Sequence, residues 1–270
     1  MTIVEKVGKG VPFLACDAFD AAGGVAHGFS TREGGVSEGI YAALNLGPNR
    51  GDEREHVLEN YRRFTAAIGA QAEGLVCAHQ VHGDTVRCVT TADRGKGLER
   101  PWDFEADGLI TDIPGLCLAV LTADCLPILL YDPVRRVAGA VHAGWRGTAM
   151  GIAGRAVEKM TESYGCRPEH ILAALGPGIS QCCFETDEDV PNAMTEAMGT
   201  CALRHIQVRD NGKFHVDLKG MNALRLEKAG VKAEHIAVSE VCTFCRHERF
   251  WSHRYTRGQR GSQAALIQLL

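Results

Sequence analysis

The sequence contains no apolar run long enough for a membrane helix and no block of basic residues. The best apolar candidate, residues 116–123, ends at Asp124, well short of the roughly 18 to 20 residues that cross a bilayer. The N-terminal segment contains Glu5, Lys6 and Lys9 and lacks an apolar stretch of signal-peptide length. Lys and Arg total 29 against 33 Asp and Glu, a net charge of −4 that gives no support to nucleic-acid binding. We therefore expect a soluble cytoplasmic protein with no nucleic-acid or membrane partner; the oligomeric state stays open.

Internal repeats, low-complexity tracts and long Pro-, Ser- or Gly-rich linkers are also absent. This favours one compact domain over residues 1–270, with residues 1–24 as an N-terminal lead-in strand region. The eleven cysteines are an odd number, and 270 residues with 45% hydrophobic side chains can bury a core without disulfides. We therefore expect most of the thiols to be reduced and to act as small core residues.

Helical and strand-like patterns alternate along the chain. Asp52 is the expected N-cap of a helix with Val57, Tyr61, Phe64 and Ile68 on one face, Thr148 opens a second helix that ends at Gly165, and Asp217 caps a third. Short β-rich runs occupy residues 75–78, 85–90, 116–121, 127–131, 137–141, 171–175, 235–239 and 264–269. Connections between 116 and 142 are too short for helical crossovers, so these strands should be antiparallel. The pattern predicts an α+β fold with mixed, partly antiparallel sheets flanked by helices.

A predicted hairpin with residues 132–135 as its loop brings together two candidate metal ligands. In that register Cys125 lies directly opposite His142 on the neighbouring strand. Opposed residues share a face and have Cβ atoms about 4.5 to 5.5 Å apart, so a thiolate and an imidazole could reach one metal ion. The polar neighbours Asp124 and Arg146 favour this interpretation over two unrelated core residues.

A third ligand is expected from the turn at residues 79–86, where His82 precedes Gly83 between two strands. Two histidines and one thiolate leave the fourth position of tetrahedral zinc open for water, which is typical of a catalytic site. Trigonal copper sites use the same donors, but the chain has no His-x-His pair and too few further ligands for several copper centres. The sequence thus predicts one zinc ion per chain, with copper as the alternative.

Two glycine-rich segments contain arginines that could bind an anion. Arg146 lies in the turn 144–147, just before the expected helix start at Thr148, where free N–H groups and the helix dipole favour phosphate. Arg32 lies in a second such loop, residues 30–37. A tight turn with an exposed arginine has the same pattern, so each motif is weak by itself.

Cys242 and Cys245 form a CxxC motif with His247 and His253 nearby. A lone CxxC is a weak indicator of metal binding, and no second pair lies at zinc-finger spacing. We therefore expect this motif to have a structural or incidental role and to be dispensable for chemistry. The adjacent Cys182-Cys183 is expected to be core or surface sulfur, because neighbouring cysteines rarely form a relaxed disulfide.

A series of motifs resembles one family. The motifs are Ser30-Thr-Arg-Glu-Gly-Gly-Val-Ser37, Leu44-Asn-Leu-Gly47, Gln80-Val-His-Gly83, Ala106-Asp107, Thr122-Ala-Asp-Cys-Leu-Pro127, Val141-His-Ala-Gly-Trp-Arg-Gly147, Leu175-Gly-Pro177 and Phe250-Trp-Ser-His-Arg254. From about residue 25 onwards the chain resembles the YfiH-type family, whose members are named peptidoglycan editing factor, polyphenol oxidase (laccase domain) or zinc-dependent purine nucleoside phosphorylase. The resemblance implies a YfiH-like fold and a zinc site at His82, Cys125 and His142. These are the same three residues that the predicted hairpin and the turn at residues 79–86 indicate.

The resemblance further implies phosphorolysis of adenosine, inosine, guanosine and methylthioadenosine, with adenosine deamination as a second activity. The candidate phosphate ligands are Arg32, Arg146 and Thr148, with Arg63 a weaker one, and the acid–base candidates are Asp107 and Asp124. The alternatives are a copper-dependent phenol oxidase, a hydrolase that corrects peptidoglycan precursors, and a non-catalytic, metal-stabilised binding module. The sequence does not rank the nucleosides.

Overall fold

The computed structural model describes residues 1–270. Its strands are β1 (Ile3–Gly8), β2 (Val11–Cys16), β3 (Val25–Ser30), β4 (Val76–Cys77), β5 (Val86–Cys88), β6 (Gly108–Thr111), β7 (Leu118–Thr122), β8 (Leu126–Asp132), β9 (Val137–Ala143), β10 (Leu172–Leu175), β11 (Glu185–Thr186), β12 (Ile206–Val208), β13 (Phe214–Val216), β14 (Ile236–Val238) and β15 (Gln263–Leu269). The helices are α1 (Asp17–Ala22), α2 (Arg54–Ile68), α3 (Trp145–Met150), α4 (Ile152–Tyr164), α5 (Asp189–Met198), α6 (Leu218–Lys228) and α7 (His253–Thr256). Short 3₁₀ turns occupy Gly39–Tyr41, Thr91–Asp93, Pro168–His170, Gly199–His205 and Ala233–His235.

The strands form three sheets. The first has the order β1-β2-β3-β15-β7-β4 and is antiparallel except for the β4/β7 pair at its edge. The second has the order β14-β10-β8-β9-β6-β5, with parallel pairs at both edges and antiparallel pairs between them. The third is the small antiparallel sheet β11-β13-β12. The predicted α+β fold with mixed, partly antiparallel sheets is confirmed; one domain over residues 1–270 stays a prediction.

The two large sheets pack against each other, and helices cover their outer faces. Along β8, Leu129 and Tyr131 face the core between the sheets, whereas Ile128 and Leu130 face the core under α4. This alternation follows from the two-residue period of a strand, and burial on both faces explains its continuous apolar sequence. On the other side, α2 packs on the first sheet through a stripe that includes Tyr61. No helix is both long and apolar enough to cross a membrane.

Most predicted elements are present, but two predicted helix starts are wrong. Asp52 does not cap α2, because its carboxylate accepts hydrogen bonds from Ser37 and Asn45, and Glu53 takes the N-cap position. Thr148 does not open a helix but lies inside the short helix α3, which ends because Gly151 adopts a left-handed conformation (φ 84°). The predicted cap Asp217 is confirmed, since its side chain accepts the N–H of Gly220.

The chain passes from one large sheet to the other at residues 123–125. β7 belongs to the first sheet and β8 to the second, so the prediction that residues 116–142 form one antiparallel sheet is correct for β8 and β9 and wrong for β7. At this crossing Asp124 has a positive φ of 86°, which is uncommon for a residue other than glycine. Its carboxylate accepts hydrogen bonds from Thr243 Oγ1 at 2.7 Å and from the Arg254 N–H at 2.6 Å, which hold the turn in place.

Candidate active site and metal centre

The β8–β9 hairpin places Cys125 and His142 on one face, although in a different register from the predicted one. The loop comprises residues 133–136, and His142 pairs with Pro127 rather than with Cys125. The prediction is therefore wrong by two residues. Because side chains alternate with a period of two, an even shift keeps Cys125 and His142 on the same face as diagonal neighbours.

His82 completes a group of three ligand atoms that lie within 4.8 Å of one another. His82 Nε2 is 3.9 Å from Cys125 Sγ, and the ring of His82 meets that of His142 edge-on, with centroids 4.9 Å apart. Nitrogen and sulfur ligands of one tetrahedral zinc ion lie roughly 3.4 to 3.8 Å apart, so small side-chain movements suffice to bind one. His82 is exposed, Cys125 is half-buried and His142 is buried, which leaves one side of the group open.

Asp107 and Gln80 fix the turn that presents His82. The buried Asp107 carboxylate accepts hydrogen bonds from the backbone N–H groups of Val81, His82 and Gly83. The side-chain amide of Gln80 donates to the carbonyl oxygen of Leu121 in β7 and accepts its N–H, both at 2.7 Å. His82 itself has a φ of 62°, and these bonds hold that unusual conformation.

Gly144 leaves the space that the three ligands occupy. A Cβ atom at this position would lie 3.0 Å from His82 Cδ2 and 3.3 Å from Cys125 Sγ. Its φ of −73° is accessible to any residue, so glycine is required here by crowding rather than by backbone conformation.

The electrostatics of the group favour the thiolate form of Cys125. Burial raises the pKa of this thiol, but the charge of His142 and hydrogen bonds from both histidines outweigh it and lower the pKa below its usual range. Burial lowers the pKa of His142, yet the Cys125 thiolate and Asp107 raise it overall. Thiolate is the form that binds a metal ion, and a metal ion would displace the proton from His142.

The His82–Cys125–His142 group lies between two cavities of about 330 and 290 Å³, and His82 and Cys125 line both. In the larger cavity the rings of His79 and Trp102 are stacked with centroids 4.9 Å apart. A flat aromatic ligand could pack against such a wall.

A cluster of basic side chains that the sequence patterns do not predict lines the cavities. Arg50 and Arg260 line both of them, and Arg254 and His253 line the smaller one. Arg260 is buried, its Nε has no hydrogen-bond partner, and burial together with the charge of Arg50 lowers its pKa to about 10. Asp124 is the one carboxylate among all the lining residues. An anion would relieve the repulsion between the arginines. The available sequence signal is that Arg50 and Arg260 each lie between two glycines, in residues 47–51 and 258–261.

The structure does not bring the expected phosphate ligands to either cavity. The Arg32 guanidinium donates to the carbonyls of Ala42 and His247 and packs on Trp251. Arg63 pairs with Glu59 on α2, and Arg146 is exposed against the ring of Trp145. Thr148 is buried, where its hydroxyl donates to the Gly144 carbonyl and accepts from Asn222. None of these four residues lines either of the two cavities, because each side chain makes its contacts elsewhere in the fold.

The two acid–base candidates occupy different positions. Asp107 is fully buried with hydrogen bonds to His142 and to three backbone N–H groups, so its geometry is that of a residue that positions ligands. Asp124 lines the smaller cavity beside Cys125.

The CxxC motif does not stand alone in the folded protein, although no second pair lies at zinc-finger spacing in the sequence. Cys182 and Cys183 lie beside Cys242 and Cys245, and the four sulfur atoms are within 4.8 Å of one another. Neither nearby histidine joins them, because the His247 ring stacks on Tyr255 and His253 faces Arg260. Sequence spacing could not reveal this group, since about 60 residues separate the two pairs.

Comparison with known proteins identifies the family. Residues 26–270 match the family described as multi-copper polyphenol oxidoreductase laccase, and the chain belongs to this YfiH-type family. The structure of the hypothetical protein YfiH from Bacillus licheniformis superimposes with a TM-score of 0.90 at 35% identity, covering 96% of each chain. The predicted resemblance and fold are therefore confirmed.

Relatives in this family are named as enzymes. The purine nucleoside phosphorylase YlmD of Geobacillus stearothermophilus is 40% identical over 260 residues, covering 94% of this chain and 93% of the relative. The adenosine deaminase RL5 of an unknown prokaryotic organism is 36% identical over 231 residues, covering 84% and 87%. These names support an enzymatic role for the chain.

Proposed function

We propose that this chain is a cytoplasmic, zinc-dependent purine nucleoside phosphorylase that also deaminates adenosine. The observation that carries the proposal is the juxtaposition of the His82–Cys125–His142 group with a cavity of about 330 Å³ that is lined by two arginines and by no carboxylate. The substrates would be adenosine, inosine, guanosine and methylthioadenosine, as the family resemblance implies. The names of the relatives support both reactions.

His82, Cys125 and His142 would hold one zinc ion at this site, because two imidazoles and a thiolate form a donor set that zinc accepts with one position open. When bound, zinc would supply Lewis acidity beside the substrate. Asp107 would position two of the ligands by holding His142 Nδ1 and the turn of His82.

In phosphorolysis a phosphate oxygen attacks C1′ of the ribose, and the bond from C1′ to the purine nitrogen breaks with its electron pair leaving on the base. We propose that Arg50 and Arg260 bind the phosphate, since both line the cavities beside the metal ligands. The stacked pair His79 and Trp102 would support the purine ring. In deamination water replaces the amino group at C6, which leaves as ammonia. Asp124 would relay the proton, because it is the one carboxylate that lines these two cavities.

The test is release of free purine from each nucleoside by the zinc-loaded protein, with and without phosphate. Ribose 1-phosphate should form only with phosphate, and inosine should form from adenosine without it. Arg260→Gln should raise the KM for phosphate by about 10- to 100-fold, the loss of a charge-assisted hydrogen bond. Arg146→Gln is the matched control and should leave that KM unchanged. No purine release from any nucleoside would overturn the proposal.

The family description favours one alternative, a copper-dependent phenol oxidase. A copper site could use the same two histidines and cysteine. Metal content and oxygen consumption distinguish the two. Copper in the purified protein together with oxidation of phenols would support the oxidase, whereas zinc and no phenol oxidation would eliminate it.

A further inference from the structure

Cys182, Cys183, Cys242 and Cys245 form a compact cluster of four sulfur atoms outside the cavities described above. Cys183 Sγ lies 3.3 Å from Cys245 Sγ, and Cys182 Sγ lies 3.5 Å from Cys183 Sγ and 3.8 Å from Cys245 Sγ. Two sulfur ligands of one tetrahedral zinc ion are about 3.8 Å apart, because each zinc–sulfur bond is about 2.3 Å long. We propose that these four cysteines bind a second metal ion, a structural zinc ion with four thiolate ligands.

Backbone contacts hold the two pairs of cysteines next to each other. Gly178 and Cys242 form a parallel bridge, and the Thr243 N–H donates to the Gly178 carbonyl at 3.1 Å. On the other loop the Cys183 N–H donates to the Ser180 carbonyl at 3.0 Å, which turns its side chain towards the motif. The Ser180 N–H points at Cys242 Sγ at 3.4 Å. A preformed site costs less ordering on binding, and an N–H donor at sulfur stabilises a thiolate ligand.

The charge around the cluster also suits an anionic metal–thiolate complex. Four thiolates with one zinc ion have a net negative charge, which requires a positive neighbour when it is partly buried. Lys219 is buried beside the cluster, and its Nζ donates to the carbonyls of Ser239 and Val241 rather than to a carboxylate. Its ammonium group is thus available to balance the charge.

Four protein ligands leave no open position, so the proposed ion is structural and not catalytic. It would join the turn at Cys182-Cys183 to the turn that begins at Cys242. The first turn leads to Phe184, which lines the smaller cavity, and the second contains Thr243, which holds Asp124. The ion would therefore stabilise the wall of the cavity behind the crossing between the sheets.

The experiment is the zinc content of folded protein purified under reducing conditions. Wild-type protein should contain about two zinc ions per chain, and Cys245→Ser and Cys125→Ser should each contain about one. Each variant removes the zinc ion of one site only, so the loss of the second zinc ion is distinguishable from the loss of the zinc ion on which the proposed function rests. Cys201→Ser, an exposed cysteine outside both groups, is the matched control and should contain two. Unchanged zinc content in Cys245→Ser would overturn the proposal.

A second measurement needs no variant. In zinc-loaded wild-type protein, alkylation mapped by mass spectrometry should show Cys182 and Cys245 protected relative to Cys201, although all three are exposed. A chelator should remove that protection. Alkylation of Cys182 and Cys245 as fast as Cys201, or a disulfide between members of the cluster in place of bound zinc, would overturn the proposal.

Discussion

Asp107 Oδ1 lies 2.7 Å from His142 Nδ1, and the same oxygen accepts the backbone N–H of His82 at 3.0 Å. One buried carboxylate oxygen therefore orients both histidines of the candidate metal site. Because His142 Nδ1 is engaged, Nε2 is the nitrogen that remains available to a metal ion.

Asp107→Asn should weaken zinc binding by about 10- to 100-fold, the usual effect of losing a residue that orients a ligand. An amide cannot accept all the N–H groups that the carboxylate accepts, so the turn of His82 loosens. Competition with a chelator measures the affinity. Asp112→Asn is the control, because Asp112 is exposed and directly follows β6, the strand that Asp107 directly precedes. Wild-type affinity in Asp107→Asn would contradict the positioning role.

Gly144→Ala should lower zinc occupancy without preventing folding. The new methyl group would lie 3.0 Å from His82 Cδ2 and 3.3 Å from Cys125 Sγ, so the ligands must move apart. Gly154→Ala is a suitable control, because this helical glycine has only ordinary contacts, the nearest 3.5 Å from the Arg225 carbonyl oxygen. Zinc per chain and the melting temperature should be measured for both. Full occupancy in Gly144→Ala would show that the site tolerates the methyl group.

Arg32→Lys should reduce the free energy of unfolding by about 1 to 3 kcal/mol and leave the phosphate KM unchanged. Lysine cannot reproduce the guanidinium bonds to Ala42 and His247 or its packing on Trp251. Urea unfolding measures the first quantity and phosphorolysis kinetics the second. Arg62→Lys, an exposed position on α2, should stay within about 0.5 kcal/mol of wild type. A raised KM for phosphate with an unchanged free energy of unfolding would instead show that Arg32 binds phosphate.

The stability of the protein should fall as the pH drops from about 6.5 to about 4, partly through His27. This buried imidazole accepts the N–H of Cys16 at 2.8 Å, and burial lowers its pKa to about 4. Unfolded chains protonate histidine near pH 6.5, so across this window the unfolded state binds more protons and unfolding becomes easier. The contribution of His27 is about 3 kcal/mol in total. Urea unfolding of His27→Gln should show a flatter pH dependence; a slope equal to that of wild type would exclude His27 as the cause.

Local sequence patterns predict the strands near the candidate metal site well, but they predict the contacts between distant segments poorly. The sequence pattern predicts that Cys125 and His142 share a face. They do so even though the register is shifted, because only the parity of the shift matters. Local preference predicts Asp52 as the cap of α2, whereas tertiary hydrogen bonds from Ser37 and Asn45 occupy that carboxylate.

The basic cluster and the four-cysteine cluster depend on long-range contacts. Arg50 and Arg260 lie far apart in the chain, and each lies in an ordinary glycine-containing loop. The bridge between Gly178 and Cys242 places the CxxC motif beside Cys182 and Cys183. No helical or strand periodicity in the sequence indicates this bridge. A single sequence gives no measure of such distances, whereas repeated apolar positions indicate strands directly.

The position of β15 has a consequence for synthesis on the ribosome. This strand lies in the middle of the first sheet, between β3 and β7. A nascent chain that ends before residue 263 therefore has two unpaired strand edges, a species prone to pairing with other chains. Arg260 and Ser262, which line the larger cavity, immediately precede this strand. Pairing of β15 with β3 and β7 would therefore close the first sheet and complete the cavity wall in a single step.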